Sequence, residues 1–286
     1  MKNIETLFHT TKKIDDLFSI IKNGFYPSYA DEVIMGRNVK VLMISFSNVA
    51  FLESRSQINY GNYSIGFRRE WGVLKGLHPV SYTYDNSLIS NMINHVLEIS
   101  RCGSVLSHYH EELCKVESNK KFKSESLKSF NIIDYNKLDK NSIKELQNPF
   151  QDIFDKTSVL FPFFKNYKII NKEGKQIDAF NDREWRFIPK VNVNDLIIYE
   201  DSNLPQFDGK INPIFLKISK ELKPHRRDIV LNFDLDDISN IIVNYKNEIN
   251  IIYDILHEKF GKEEVDKSIK KGNLSINSFE NISNNY

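Results

Sequence analysis

The stretch Asn181-Asp182-Arg183-Glu184-Trp185-Arg186-Phe187-Ile188-Pro189 decides how the chain is read. A polar triplet and a glutamate run straight into a Trp-Arg-Phe-Ile strand. A carboxylate at the mouth of a strand stands on a rigid element, where chemistry needs it. Alone it is one acidic residue. Its meaning depends on what the rest of the chain brings to it.

Downstream, Leu196–Tyr199, Ile229–Phe233 and Ile241–Val243 read as further strands. A closing amphipathic helix carries Ile249, Ile252, Tyr253, Ile255, Leu256 and Phe260, and stops at Gly261. The tail from Ser275 is rich in Asn and Ser and is expected to fray. Upstream, Tyr167–Ile170 is a strand followed by the turn Lys172-Glu173-Gly174-Lys175.

The N-terminal part opens with a strand over Ile4–His9. Thr10 or Thr11 caps a helix carrying Ile14, Leu17, Phe18 and Ile21, and Asn23-Gly24 ends it. Phe25–Tyr29 leaves that helix extended. Val39–Phe46 is a strong strand, and Ser47-Asn48 caps a short helix over Leu52–Ile58. Tyr60-Gly61 leads into a strand at Tyr63–Arg68, and Val80–Tyr84 follows Pro79 as another.

Between residues 85 and 160 the character changes. Leu88, Ile89, Met92, Ile93, Val96, Leu97 and Ile99 form one amphipathic stripe. A second helix covers Val105–Glu117, and Lys115–Lys128 is polar and basic, with a loop. The expected class is α+β: a twisted, mainly antiparallel sheet split by a helical insertion.

The chain has 286 residues, 41% hydrophobic and 12% aromatic, enough for a sizeable core. Lys+Arg 39 against Asp+Glu 38 gives a net charge of +1. That lacks the global footprint of a non-specific nucleic-acid binder. Cys102 and Cys114 are no disulfide framework and read as reduced thiols. The N-terminus lacks the pattern of a secretory signal. No apolar run approaches the ~20 residues needed to cross a bilayer. The expectation is a cytoplasmic protein with no membrane partner.

Several chemistries are excluded. No Gly-x-Gly-x-x-Gly follows a strand, and there is no phosphate loop or Gly-x-Ser-x-Gly elbow. Cysteines and histidines do not pair at zinc spacing. In His108-Tyr109-His110-Glu111-Glu112, residues two apart on a helix point to different faces, so the run reads as a surface helix. No metal is expected. Arg68-Arg69 and His225-Arg226-Arg227 read as solvated faces, with phosphate contact as the sharper alternative.

One constellation remains. His9 ends the first strand, Ser45-Phe46-Ser47 ends a second, Tyr60 follows the short helix, and Glu184 opens a later strand with Asp182 two residues before it. Each has a plain structural reading. His9 is a hydrogen-bonded histidine, Ser45 and Ser47 a strand end and a cap, Tyr60 packing, and Glu184 a salt-bridge partner.

The chain resembles the AbiGi family of abortive-infection proteins. The matching stretches are Phe8-His9-Thr10 with Leu17–Ile21, Asn23–Tyr29, Met43–Asn48, Tyr60–Phe67 with Glu70-Trp71, Gly76–Tyr82, Asp182–Pro189, and Asp237–Val243 with the closing helix. That family in turn resembles ADP-ribosyltransferases in the order of its polar motifs. Where relatives carry Cys-Asp, this chain has Ser47-Asn48.

The resemblance implies a single ADP-ribosyltransferase-like domain over residues 1–286, with NAD as co-substrate. Glu184 would face the ribose as the glycosidic bond breaks through an oxocarbenium-like state. Asp182 would orient or deprotonate the acceptor. His9 with Thr10, Ser45, Phe46, Ser47 and Tyr60 would bind NAD. Arg186 would meet a phosphate, face outward, or meet a structural carboxylate. The implied activity is a toxin-like transferase in phage defence acting on a macromolecule, RNA or DNA first. The alternative is a non-catalytic AbiGi-type antitoxin that restrains a partner toxin.

Overall fold

The computed structural model describes residues 6–34, 37–49, 61–84, 86–96, 145, 156–157, 159–170, 174–191, 193–199 and 226–280. The fold is mixed α+β around an open, mainly antiparallel sheet. Its strands are β1 (Thr6–Thr11), β2 (Ser28–Ile34), β3 (Arg37–Ser47), β4 (Tyr63–Arg68), β5 (His78–Pro79), β10 (Glu184–Phe187), β11 (Ile197–Tyr199), β12 (Ile238–Val243) and β13 (Ser275–Ser278). The main path runs β13-β12-β4-β1-β3-β10-β5. Two small sheets stand beside it. One pairs β6 (Ser81–Thr83) with β7 (Phe164–Asn166), the other β8 (Lys168–Ile170) with β9 (Gln176–Asp178).

β3 is the spine. Its first part, rich in β-branched and aliphatic residues, pairs β2 from Arg37 to Met43 and β11 from Val39 to Val41. Its last part pairs β10 from Ile44 to Ser47 and meets β1 at Ser47. Alternation along β3 sends its residues to opposite sides. Ile44 and Phe46 enter the larger core. Val39, Val41 and Met43 enter a smaller one with Phe161, Ile93 and Leu196.

The larger core lies under α1 (Ile14–Asn23), α2 (Arg69–Leu74), α3 (Glu248–Phe260) and α4 (Lys262–Lys270). Leu17 and Ile21 of α1, Trp71 of α2, Ile252 and Leu256 of α3 and Val265 of α4 pack on Leu7, Ile65, Phe67 and Ile241 of the sheet. Their spacing on each helix is that of one buried stripe. Fully burying such side chains contributes about 1.5–3 kcal/mol each.

The strands at Val39–Phe46 and Tyr63–Arg68 and the closing helix stand close to where the sequence puts them. Three expectations need correcting. The first helix takes Lys13 as N-cap with no side-chain cap, while the Thr11 hydroxyl donates to the Lys13 carbonyl. Ile229–Phe233 is no strand; only Leu231 bridges to Phe25. The tail does not fray from Ser275: Asn240–Val243 recruit Ser275–Ser278 as a parallel partner, and Ser278 is fully buried. In addition, Arg69–Leu74, given no element from the sequence, is a helix directly after β4.

Within the expected insertion, residues 88–96 are helical and bury Ser90 and Ile93, while Leu88, Ile89 and Met92 of the expected stripe are exposed. The expected helices at 52–58 and 105–117, the basic stretch 115–128, both cysteines and the His108–Glu112 run lie outside the described residues.

Candidate functional site

Glu184 is 7% exposed, and its carboxylate is surrounded by donors. Oε1 accepts from Ser45 Oγ at 3.0 Å and from Arg186 Nε at 2.7 Å. Oε2 accepts from Lys165 Nζ at 2.7 Å. The backbone N–H of Glu184 donates to the Tyr82 hydroxyl at 2.9 Å.

Arg186 is fully buried on the same face of β10. Its Nη2 lies 2.8 Å from Glu32 Oε1, and its Nη1 donates to the Pro162 carbonyl. Lys165 Nζ is 3.9 Å from the same Glu32 oxygen. Two carboxylates and two cations therefore close a neutral, buried ring. It ties β2, β7 and β10 together, with β3 joined through Ser45 and β6 through Tyr82.

The register explains this assembly. Residues directly opposite on antiparallel strands share a face. Glu184 stands opposite Ser47, and Arg186 opposite Ser45. Glu32 is opposite Val39 on the other side of β3, on that same face. Lys165 arrives from β7. Burial alone would raise the Glu184 carboxyl, but Arg186 and Lys165 outweigh it and hold it down to about 2. Burial opposes the charge on Lys165 and on Arg186; Glu184 and Glu32 more than offset it and push both up. All four charges are thus held by one another, the condition under which buried ions are tolerated.

His9 is elsewhere. Phe8, not His9, stands opposite Ser47. Alternation then puts His9 on the other face, with Phe46 and Trp185. Its ring packs edge-on to Phe25 at 5.0 Å and tilted against Phe46 at 5.6 Å. Nδ1 lies 2.8 Å from the Ser45 carbonyl, which only accepts, so Nδ1 carries the proton. Burial lowers its pKa, partly countered by that hydrogen bond and by Asp16.

The expected cleft is therefore not assembled as the sequence suggested. Ser45 meets Glu184 directly, and Ser47 shares its face. Thr10 bonds the hydroxyl of Ser64, directly opposite it on the neighbouring β4, at 3.0 Å. Phe46 is core, 2% exposed. Asp182 ends a 3-10 turn, Ala179–Asp182, and is half-buried. Tyr60 lies outside the described residues. Sequence reading missed Glu32, Lys165 and Tyr82 as partners of Glu184. The signal that was present is the period-two spacing of Glu184 and Arg186, which sets both on the face away from Trp185 and Phe187.

Among the described residues no group of three or more His, Cys, Asp or Glu could hold a metal. No helix there is long and apolar enough to cross a membrane.

Fold and site define an α+β protein in which the most deeply set charges among the described residues, Glu184 and Arg186, are locked to each other. A family model described as "Putative abortive phage resistance protein AbiGi, antitoxin" matches residues 25–244. The chain belongs to the AbiGi family. That span contains the whole charge ring and leaves out His9 and Thr10. Abortive phage resistance protein AbiGi of Lactococcus lactis subsp. cremoris is 22% identical over 199 residues, 67% of this chain and 64% of that protein. The match thus spans less than two thirds of that curated relative's length. No solved structure matches.

Proposed function

We propose that the chain is the antitoxin member of an abortive-infection pair, a protein that binds and restrains a partner toxin. The observation that carries this is the family match over residues 25–244, whose description names an antitoxin. The geometry agrees with it. A glutamate that stabilises an oxocarbenium must face the substrate, whereas the Glu184 carboxylate is already engaged by Ser45, Lys165 and Arg186. The ring serves stability and the mutual placement of β2, β7 and β10.

The ADP-ribosyltransferase-like fold, the use of NAD and a nucleic-acid acceptor rest on motif order alone. They require His9 and Glu184 to reach one ligand from opposite faces of the sheet.

Expression separates the two. The chain alone should leave growth unchanged, and co-expression with the toxin encoded beside it should restore growth that the toxin alone stops. Arrest by this chain alone, with labelled NAD incorporated into RNA, DNA or protein by the purified chain, would overturn the antitoxin reading in favour of the transferase.

A further inference from the structure

Three aromatic rings form a ladder at the surface beside the charge ring. Tyr84 and Tyr167 stack with centroids 4.6 Å apart and 23° between planes. Tyr167 and Phe180 continue at 6.0 Å and 18°. Tyr84 is 56% exposed and Phe180 48%. Large rings held together in water mark an interaction surface.

The ladder is fixed in place. The Tyr167 N–H donates to the Thr83 carbonyl at 2.8 Å, and the Ala179 N–H to the Tyr167 carbonyl at 2.8 Å. Tyr82 supports Phe180 edge-on at 5.5 Å, and its own hydroxyl is held by the Glu184 amide. Rings already ordered lose little freedom when something binds them.

The rim is acidic. Burial pushes the Tyr167 phenol up, and Tyr84 and the Asp178 carboxylate add to it. Burial also pushes Tyr82 up to about 12, against its bond from the Glu184 amide; the Glu184 carboxylate pushes the same way, Lys165 opposes it, and Asp182 adds a smaller push upward. Ring faces are themselves negative in potential. A phosphate chain is repelled by such a rim. A guanidinium satisfies it, stacking on a ring while its edge meets a carboxylate. Lys168 stands opposite Asp178 on β8, and a lysine offers no plane to stack.

We infer that the Tyr84–Tyr167–Phe180 ladder, with Asp178 and Asp182 at its rim, is a docking surface for an arginine-bearing segment of a protein partner. That the partner is the restrained toxin rests on the antitoxin reading above.

The test is calorimetric titration of the full chain with a short peptide carrying two arginines. Its lysine and glutamate analogues and a single-stranded tetranucleotide serve as controls. The arginine peptide should bind best. Tyr84→Ala with Phe180→Ala should weaken it by at least about tenfold, the loss of a desolvated stacking contact. Both rings are exposed, and an unchanged melting temperature confirms the variant's fold. Equal binding of the glutamate peptide or the oligonucleotide overturns the inference, as does arginine binding indifferent to the rings. The growth assay keeps the two proposals apart. Full rescue by the ring variant sinks the docking surface and leaves the antitoxin. No rescue by the unaltered chain sinks the antitoxin, while the peptide result stands on its own.

Discussion

His9 and Glu184 lie on opposite faces of one sheet, although only β3 separates their strands. Phe8 and Glu184 both stand opposite Ser47 from its two sides. The step from Phe8 to His9 turns the imidazole into the aromatic core. One residue of register thus separates a shared cleft from two unrelated environments.

Glu184→Gln keeps the shape and removes the charge between Lys165 and Arg186. Breaking one member of a buried ion network costs about 3–5 kcal/mol, so the urea midpoint should fall sharply. Arg186→Lys loses the fork that reaches Glu184, Glu32 and Pro162 together, and should cost about 2 kcal/mol. A loss below about 0.5 kcal/mol for Glu184→Gln, the level of a surface pair, would show the ring to be solvated.

Stability should fall on the acid side in two stages. His9 has a folded pKa below its ordinary 6.5, so the unfolded chain binds the extra proton and stability drops as pH falls below that value. Glu184 is lowered from 4.5 to about 2, so its share is complete above 4.5 and lost between there and about 2. Melting temperature against pH should show both. His9→Asn, which keeps a donor near the Ser45 carbonyl, should flatten the upper stage alone. An unchanged upper slope in that variant would remove His9 from the account.

Gly61 has φ +132°, and a Cβ there would stand 1.8 Å from the Thr11 carbonyl oxygen. Two backbones cross where neither can yield. Gly61→Ala should cost well over about 1 kcal/mol, the reverse of the usual gain from replacing a flexible glycine. Thermal denaturation of the variant reads this directly.

Deleting the chain from Ser275 onward removes β13. It strips the parallel ladder from β12 and leaves Ile241 and Val243 beside an open edge. The lost bonds are worth about 1 kcal/mol each, and the exposed edge should promote self-association. A truncated chain that stays monomeric by light scattering and melts unchanged would restore the view of this tail as dispensable.

Much of the sheet was legible. Val39–Phe46 and Tyr63–Arg68 are rich in the residues strands favour, and the closing helix shows a 3.6-residue stripe ending at a glycine. β13 was not legible: Ser-Ile-Asn-Ser carries no strand signal, and only pairing with β12 orders it. For the site, the Glu184–Arg186 pair stood in the quoted stretch. Its burial depends on Glu32 and Lys165, far away in sequence, and no local pattern reports such partners. Arg186 met one of the fates open to it, a structural carboxylate.

The sheet interleaves the chain's two ends. β1 pairs β4, and β4 pairs β12, which waits for β13. During synthesis, β1 to β4 can pair among themselves, but the outer edge of β4 must stay open until residues 238–278 leave the ribosome. Sheets joined across such long sequence separations form slowly, and their open edges are prone to aggregation in the meantime. The yield of folded protein would then depend on how well that edge is shielded on the nascent chain, a cost set by topology and not by the strength of any one contact.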